Sequence, residues 1–178
     1  GITRVVPLPG GRCRLESRTR RRSVALGEAW RYLIKTCKDH YLQTGIDLCE
    51  DDGHRVDLRV VVQRDGEGRW QVPGMAAKRA RRDRFLTNVA RGASVHVPSE
   101  LLGRIFGPKR ASQILDECAR LGLLVAETLA ARYPRFADLG LDVGVDEEGR
   151  PYLIEVNRRD LRITLGLSGQ RDVHKLVY

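Results

Sequence analysis

Two carboxylates interrupt apolar runs near the end of the 178-residue chain, in the stretch LGLDVGVDEEGRPYLIEVN at residues 139–157. The runs flank DEEGRP, whose Gly and Pro are typical of a turn, so the stretch predicts a β-hairpin. Asp142 and Glu155 stand where strand alternation favours core residues. A charge at such a position is costly without a partner, so the pair points to chemistry.

The register of this hairpin decides whether the two carboxylates meet. With residues 147–150 as the loop, Asp146 faces Pro151, and antiparallel pairing then sets Asp142 opposite Glu155. Asn157 follows two residues along the strand, on the same face. Facing carboxylates repel one another, so we expect a positive group between them.

Two carboxylates and an amide carbonyl are oxygen ligands that suit Mg²⁺, which shares its remaining positions with water and substrate phosphates. The pattern therefore suggests Mg²⁺–nucleotide chemistry at Asp142, Glu155 and Asn157. It fits equally well a register displaced by one residue, or an edge strand that turns both carboxylates to water. On the pattern alone both alternatives stay open.

Three further elements must position these residues. Residues 56–79 hold two Val-rich runs around DGEG and predict another β-hairpin. Residues 108–133 place apolar side chains at helical spacing before Pro134 and predict the longest helix. A shorter helix is predicted over residues 26–40, followed by a strand-like segment, YLQTGIDL, at 41–48.

Composition favours a globular protein, because 42% of the residues are hydrophobic. No apolar run approaches the length of about eighteen residues that a membrane helix needs, and the opening GITRVVPLPGGR is unlike a secretory signal. We therefore expect a cytoplasmic protein without membrane contact. The four cysteines show no C-x-x-C spacing, so we expect reduced thiols and no zinc site.

The formal charge is +9, and Arg residues cluster in RTRRR (18–22) and KRARRDR (78–84). Such runs could bind nucleic acid or nucleotide phosphates, although most are solvated surface. Aromatic residues make up 6% of the chain and do not interleave with the Arg runs, so no stacking platform for bases is visible. We do not expect general nucleic-acid binding.

The quoted motifs resemble a known family. LDVGVDEEGRPYLIEVN resembles the metal-binding hairpin of ATP-grasp ligases, in which an acid and an E-x-N hold the magnesium ions of ATP. With RVDLRVVVQRDGEGRWQVPGMAAKR and LTNVARGAS, the chain resembles the YheC/YheD-type, endospore coat-associated branch. The resemblance implies an α+β ATP-grasp fold, with residues 1–42 as a remnant of the small lobe and 43–178 as the large C-terminal lobe.

The resemblance also implies roles for residues that bind ATP. Gln43 and Ile46, in YLQTGI, match the hinge that meets adenine, although an ordinary strand end is the alternative. Asp57 and Arg59, in VDLRV, match a family pair near the ribose and phosphates. Strand alternation puts both on one face, and the planar fork of Arg suits phosphate.

Two more positions match the phosphate and substrate side of related ligases. They are Arg79 in AAKRA and Asn88 in LTNVARG; a surface arginine and a turn-capping asparagine are the alternatives. The remaining charges around them would form a positive rim that attracts an anionic substrate: Lys78, Arg81, Arg82 and Arg84.

By this resemblance we expect Mg²⁺ and ATP as cofactors and ATP-dependent ligation of a carboxylate to an amine through an acyl phosphate. ATP-grasp enzymes carry lysines and a Gly-rich loop on the first lobe, which would precede Gly1, so an inactive chain stays open as an alternative. The chain departs from the family after the E-x-N, where Arg158 follows in place of a Pro-Gly turn. A non-catalytic nucleotide-binding coat protein and a basic nucleic-acid module are the alternatives.

Overall fold

The computed structural model describes residues 2–17, 20–36, 42–82 and 92–158. The chain divides into two compact units, residues 1–45 and 46–178. Among the positions singled out above, Asn88 and Arg84 lie outside the described residues, as do Cys37 and the tail beyond Arg158. The assignment of the units to two ATP-grasp lobes stays a prediction.

The first unit is a small antiparallel sheet with one helix. Strands β1 (Arg4–Leu8), β2 (Arg12–Glu16) and β3 (Arg21–Ala25) pair in that order, and helix α1 covers Leu26–Thr36. Its core consists of Cys13, Leu15, Val24 and Ala29. Strands β2 and β3 were not predicted, because their Arg residues hide the alternation of inward side chains.

Helix α1 confirms the predicted helix as far as Thr36. Its apolar stripe is nevertheless exposed, since Leu26, Trp30 and Ile34 each keep more than half of their surface accessible (58%, 54% and 58%). The strand predicted in YLQTGIDL is wrong: residues 42–47 have no regular structure, and Leu48 forms one isolated bridge to Asp146.

The second unit is a six-stranded antiparallel sheet with two helices, which makes the fold α+β. The strands are β4 (Glu50–Asp51), β5 (His54–Arg64), β6 (Trp70–Arg79), β7 (Ser94–His96), β8 (Asp138–Val145) and β9 (Pro151–Asn157). Their order is β7-β6-β5-β8-β9, and β4 pairs with β5. The hairpin predicted over residues 56–79 is confirmed as β5 and β6.

Two helices accompany this sheet, α2 (Pro98–Phe106) and α3 (Pro108–Arg132). The long helix predicted up to Tyr133 is confirmed as α3, whereas α2 was not predicted. Helix α3 packs closely against the sheet at Gly122, where an added Cβ would lie 3.0 Å from Val62 and 3.3 Å from Val60. A larger side chain there would press on β5.

The core of this unit lies between α3 and one face of the sheet, called here the apolar face. On β5 that face carries Val56, Leu58, Val60 and Val62, all fully buried. Leu139, Leu141, Val143 and Val145 continue it on β8. Because successive strand residues point to opposite sides, the residues between them form a second face, called here the polar face.

The final hairpin is confirmed, but its turn differs from the predicted one. Val145, not Asp146, pairs with Pro151, so the predicted Asp146–Pro151 pair is wrong. An irregularity at Ile154 then shifts the register by one residue, and Asp142 pairs with Glu155 after all. A β-bulge of this kind accommodates one extra residue in one strand. The predicted carboxylate pair is thus confirmed, although through a register that alternation alone did not reveal.

The described thiols are free, as expected: Cys13, Cys49 and Cys118 form no disulfide. Burial, together with the nearby charge of Asp146, raises the pKa of Cys49 to about 12. Burial likewise raises the pKa of Cys118 to about 12. Both therefore stay protonated and act as small apolar core residues. Within the described ranges, no helix is both long and apolar enough to cross a membrane.

Candidate metal and phosphate site

The polar face gathers charge across four strands. Asp57 and Arg59 alternate with the core valines and leucine of β5 and therefore point away from α3. Lys78 pairs with Asp57 from β6, and Asp142 pairs with Arg59 from β8. Glu155 and Asn157 extend the face onto β9. Val156, which lies between Glu155 and Asn157, packs against the core, so strand alternation directs the two polar side chains to the polar face.

Arg59, Asp142 and Glu155 form a row across three neighbouring strands. Arg59 Nη2 lies 3.3 Å from each Asp142 carboxylate oxygen. Arg59 is thus a positive partner for Asp142, as the sequence predicted. It lies on the β5 side of Asp142 and not between Asp142 and Glu155. Glu155, on the opposite side, is exposed, and no side chain in the described ranges makes an ion pair or hydrogen bond with it.

Lys78 was predicted to belong to a solvated rim, and this is wrong. Lys78 is buried, with 6% of the residue exposed. Its Nζ lies 2.9 Å from Asp57 Oδ1 and 2.7 Å from Asp142 Oδ1. Strand alternation along β6 could have identified Lys78 as a residue of the polar face. Lys78 sits in β6 between Ala77 of the apolar face and Arg79, so only Lys78 shares a face with Asp57. Arg81 and Arg82 are exposed, as a rim requires.

The oxygen atoms of this face fit a hard cation. Asn157 Nδ2 donates to Asp142 Oδ2 at 3.2 Å, and a half-turn of the amide would bring its carbonyl oxygen to the same place. Across the described residues no three His, Cys, Asp or Glu side chains cluster as a metal site. A metal at Asp142 and Glu155 would therefore need Asn157, water and substrate oxygens, which is how Mg²⁺ is commonly bound.

A small apolar patch borders the polar face at Gly144, which pairs with Asp57. A Cβ added at Gly144 would lie 2.7 Å from Leu48 and 3.1 Å from Ile154, with Ile46 at 3.5 Å. Glycine is needed because these side chains pack onto the strand backbone. Ile46, predicted to meet adenine, thus lies beside the charged residues, whereas Gln43 is exposed and belongs to the first unit.

Arg79 does not join the other predicted site residues. It pairs with Val56, whose side chain lies on the apolar face, and its Nε contacts Asp51 Oδ2 at 2.8 Å. Arg104 of α2 reaches the same carboxylate at 3.2 Å. The hydrogen bond from Arg104, with the charges of both arginines, lowers the pKa of Asp51 against the effect of its burial. The structure therefore places Arg79 in an ion-pair cluster on the other side of the sheet.

Asp146 organises the turn of the final hairpin. Its Oδ1 accepts hydrogen bonds from the backbone of Glu148 and Arg150, and its Oδ2 accepts from Arg150 Nε at 2.7 Å and the Tyr152 hydroxyl at 3.0 Å. Burial alone would raise the pKa of Asp146, but the bonds from Arg150 and Tyr152 outweigh it and lower the pKa to about 2. The side chain holds the loop that sets the hairpin's register.

Comparisons with known proteins show which family the chain belongs to. The family described as YheC/D-like ATP-grasp matches residues 9–178. The chain is 25% identical over 122 residues to the endospore coat-associated protein YheD of Bacillus subtilis, covering 68% of this chain and 26% of that protein. It is 23% identical over 121 residues to YheC of the same organism, covering 67% of this chain and 33% of that protein.

The chain thus spans about a quarter and a third of these two relatives. No solved structure gives a significant match. The family match covers nearly the whole chain and includes the polar face, both hairpins and the long helix. ATP-grasp proteins in general bind ATP with Mg²⁺ and are ligase-like. This chain, with its α+β fold, belongs to the YheC/D-like ATP-grasp family.

Proposed function

We propose that the polar face binds Mg²⁺–ATP and that the protein is an ATP-dependent carboxylate–amine ligase. One observation carries the proposal: Asp142, Glu155 and Asn157 occupy adjacent positions of one sheet face, beside Arg59 and Lys78. Oxygen ligands next to fixed cations suit a polyphosphate that arrives with its metal. Bound Mg²⁺ would neutralise charge on the phosphates.

The chemistry would need no side-chain nucleophile. A substrate carboxylate oxygen attacks the γ-phosphorus of ATP, the bond to the bridging oxygen breaks, and ADP leaves. An amine then attacks the acyl carbon, phosphate departs with the bonding electrons, and the nitrogen loses a proton. Arg59 would hold the phosphoryl oxygens by parallel hydrogen bonds and stabilise their charge. Because Arg79 is engaged by Asp51 on the other side, the phosphate role rests on Arg59.

The nucleoside would lie beside the charged residues. In the proposal Ile46 packs against adenine and Asp57 lies near the ribose, whereas Gln43, expected at the base by the family resemblance, belongs to the first unit. Ile46 and Leu48 form an apolar border at Gly144, directly across from Asp57. Apolar contacts that flank a few polar groups are typical of a ligand site. Asn88, proposed for the phosphate side, lies outside the described residues.

The decisive variant is Glu155→Gln. It keeps the shape of the side chain and removes the repulsion of Asp142, so the fold should persist while Mg²⁺-dependent ATP binding is lost. Calorimetric titration of ATP at fixed Mg²⁺ measures the effect. Glu147→Gln is the matched control, because Glu147 is an exposed carboxylate in the turn of the same hairpin. Equal ATP affinity in Glu155→Gln and the unaltered protein would contradict the metal role.

Product analysis tests the reaction. Incubated with ATP, Mg²⁺ and a pool of carboxylates and amines, this chain extended by the first-lobe lysines and Gly-rich loop that the family resemblance implies should release ADP and phosphate in proportion to the carboxylate added. Release of AMP and pyrophosphate would indicate adenylation and contradict the acyl-phosphate route.

A second function, a non-catalytic nucleotide-binding protein of the spore coat, is favoured by the name that both relatives carry. It keeps the fold and the ATP site but transfers no phosphoryl group. ATP binding that survives without any carboxylate-stimulated ADP would support it. The same experiment thus separates the two functions.

A further inference from the structure

The two oxygens of Asp142 lie in different surroundings. Lys78 Nζ approaches Oδ1 at 2.7 Å from the β6 side, whereas Asn157 Nδ2 approaches Oδ2 at 3.2 Å from the β9 side. Arg59 lies between them and contacts both. Glu155, the other carboxylate of the face, pairs with Asp142 from β9. Oδ2 is thus the oxygen of Asp142 that contacts another proposed metal ligand, Asn157.

We propose that Lys78 makes the site selective for Mg²⁺ over Ca²⁺ by keeping Asp142 a ligand through one oxygen. The inference rests on the proposed metal role of Asp142. Lys78 touches no metal in this arrangement. It acts as a positioning residue that holds the second oxygen of the carboxylate away from the ion.

The two ions differ in what they ask of a carboxylate. Mg²⁺ requires octahedral geometry at about 2.0–2.1 Å and takes one oxygen from each carboxylate, whereas Ca²⁺ accepts six to eight ligands and often takes both oxygens. With Oδ1 held by an ammonium group, Asp142 cannot present both oxygens to one ion. The arrangement meets the need of Mg²⁺ and withholds a ligand from Ca²⁺.

Lys78 is suited to this role because moving its ammonium group away from the two carboxylates costs free energy. Lys78 is 6% exposed and Asp57 is 4% exposed, and the two also pair at 2.9 Å. Moving the ammonium group would leave a buried carboxylate without that cation, which is strongly unfavourable. Glu155 does not discriminate in the same way, because it is exposed and free to bind through one or both oxygens. Selectivity therefore depends on Asp142.

The test compares two metals on one protein. Mn²⁺ bound to the chain is followed by electron paramagnetic resonance and displaced with MgCl₂ or CaCl₂. Lys78→Met retains the length of the side chain and removes its charge, and it should shift the ratio of the two displacement constants about tenfold towards Ca²⁺. Lys109→Met, at an exposed lysine of α3, should leave the ratio unchanged. A general loss of stability would weaken the binding of both metals and leave the ratio of their displacement constants unchanged.

A charge-balanced variant covers the case in which Lys78→Met does not fold. The double variant Asp57→Asn/Lys78→Met removes one buried charge of each sign and should show the same shift towards Ca²⁺. An unchanged ratio in the folded variant would overturn the inference while leaving the metal site in place. If instead Asp142→Asn retains full Mn²⁺ binding, or the unaltered chain binds none, the proposed metal role itself fails.

Discussion

Strand β5 has two faces that obey different physical rules. One face presents Val56, Leu58, Val60 and Val62 to α3, and all four are fully buried. The other presents Asp57 and Arg59 to the acids and Lys78 of neighbouring strands. Neighbouring residues of β5 thus lie on opposite faces, one packed by apolar side chains and the other joined by ion pairs.

The difference shows which face the fold needs. Burial of apolar side chains is dependably favourable, at about 1.5–3 kcal/mol for each valine- or leucine-sized side chain. Buried ion pairs add little net stability, because desolvation offsets their attraction. We therefore expect truncation on the apolar face to change stability, and variants of the half-buried Arg59 and the exposed Glu155 to change ligand binding.

Leu58→Ala should have the largest effect. Leu58 is fully buried under α3, so its truncation removes apolar burial and leaves a cavity, at a cost of about 3 kcal/mol in the free energy of unfolding. Urea unfolding measures the loss. The matched control is Leu58→Met, which conserves volume and should cost less than about 1.5 kcal/mol. ATP affinity of the folded fraction should not change, and a selective loss of it would break the contrast between the faces.

Asp146→Asn should come second, because this carboxylate holds the turn that joins β8 and β9. The pKa of Asp146 lies at about 2 against an ordinary 3.8, which corresponds to about 2 kcal/mol of stability at neutral pH. Urea unfolding at pH 7 should show this difference from the unaltered protein. Glu147→Gln, at the exposed neighbour, should change little.

The pH dependence of this effect has a definite sign. The folded pKa is lowered, so the contribution of Asp146 is present above the unfolded pKa near 3.8 and is lost as pH falls towards about 2. The gap in unfolding free energy between the unaltered protein and Asp146→Asn should therefore close between about pH 5 and pH 2. A gap that stays constant over that range would show that the bonds to the turn do not depend on the carboxylate's charge.

The sequence predicted the elements with strong periodicity and missed those whose side chains obscure it. Both hairpins of the second unit and α3 follow from alternation and helical spacing, whereas the pairing of Asp142 with Glu155 was predicted through a turn that the structure does not have. The bulge at Ile154 could not be predicted, because an extra residue leaves no mark in a pattern of period two.

The candidate site shows the same division. Asp57 and Arg59 were placed on one face by alternation, which the structure bears out. Lys78 and Arg79 were treated alike as cations, yet adjacent strand positions send them to opposite faces. Applying alternation to β6 would have separated them. The contact of Lys78 with Asp142, in contrast, depends on the order β6-β5-β8, which only the folded sheet determines.

The smallest expected effect, and the sharpest test of the comparison, comes from two arginines on opposite faces. Arg59→Ala should weaken ATP binding at fixed Mg²⁺ about tenfold, because a charge-assisted contact to phosphate is worth about 1.5–3 kcal/mol. Arg79→Ala should leave ATP affinity unchanged, since Arg79 is held by Asp51 on the α2 side and Arg104 still pairs with that carboxylate.

Each variant should change the free energy of unfolding by less than about 1 kcal/mol, because both side chains are partly exposed. Calorimetric titration of both proteins decides the matter. If Arg79→Ala loses affinity and Arg59→Ala does not, the nucleotide lies on the α2 side of the sheet and the assignment of chemistry to the polar face is wrong.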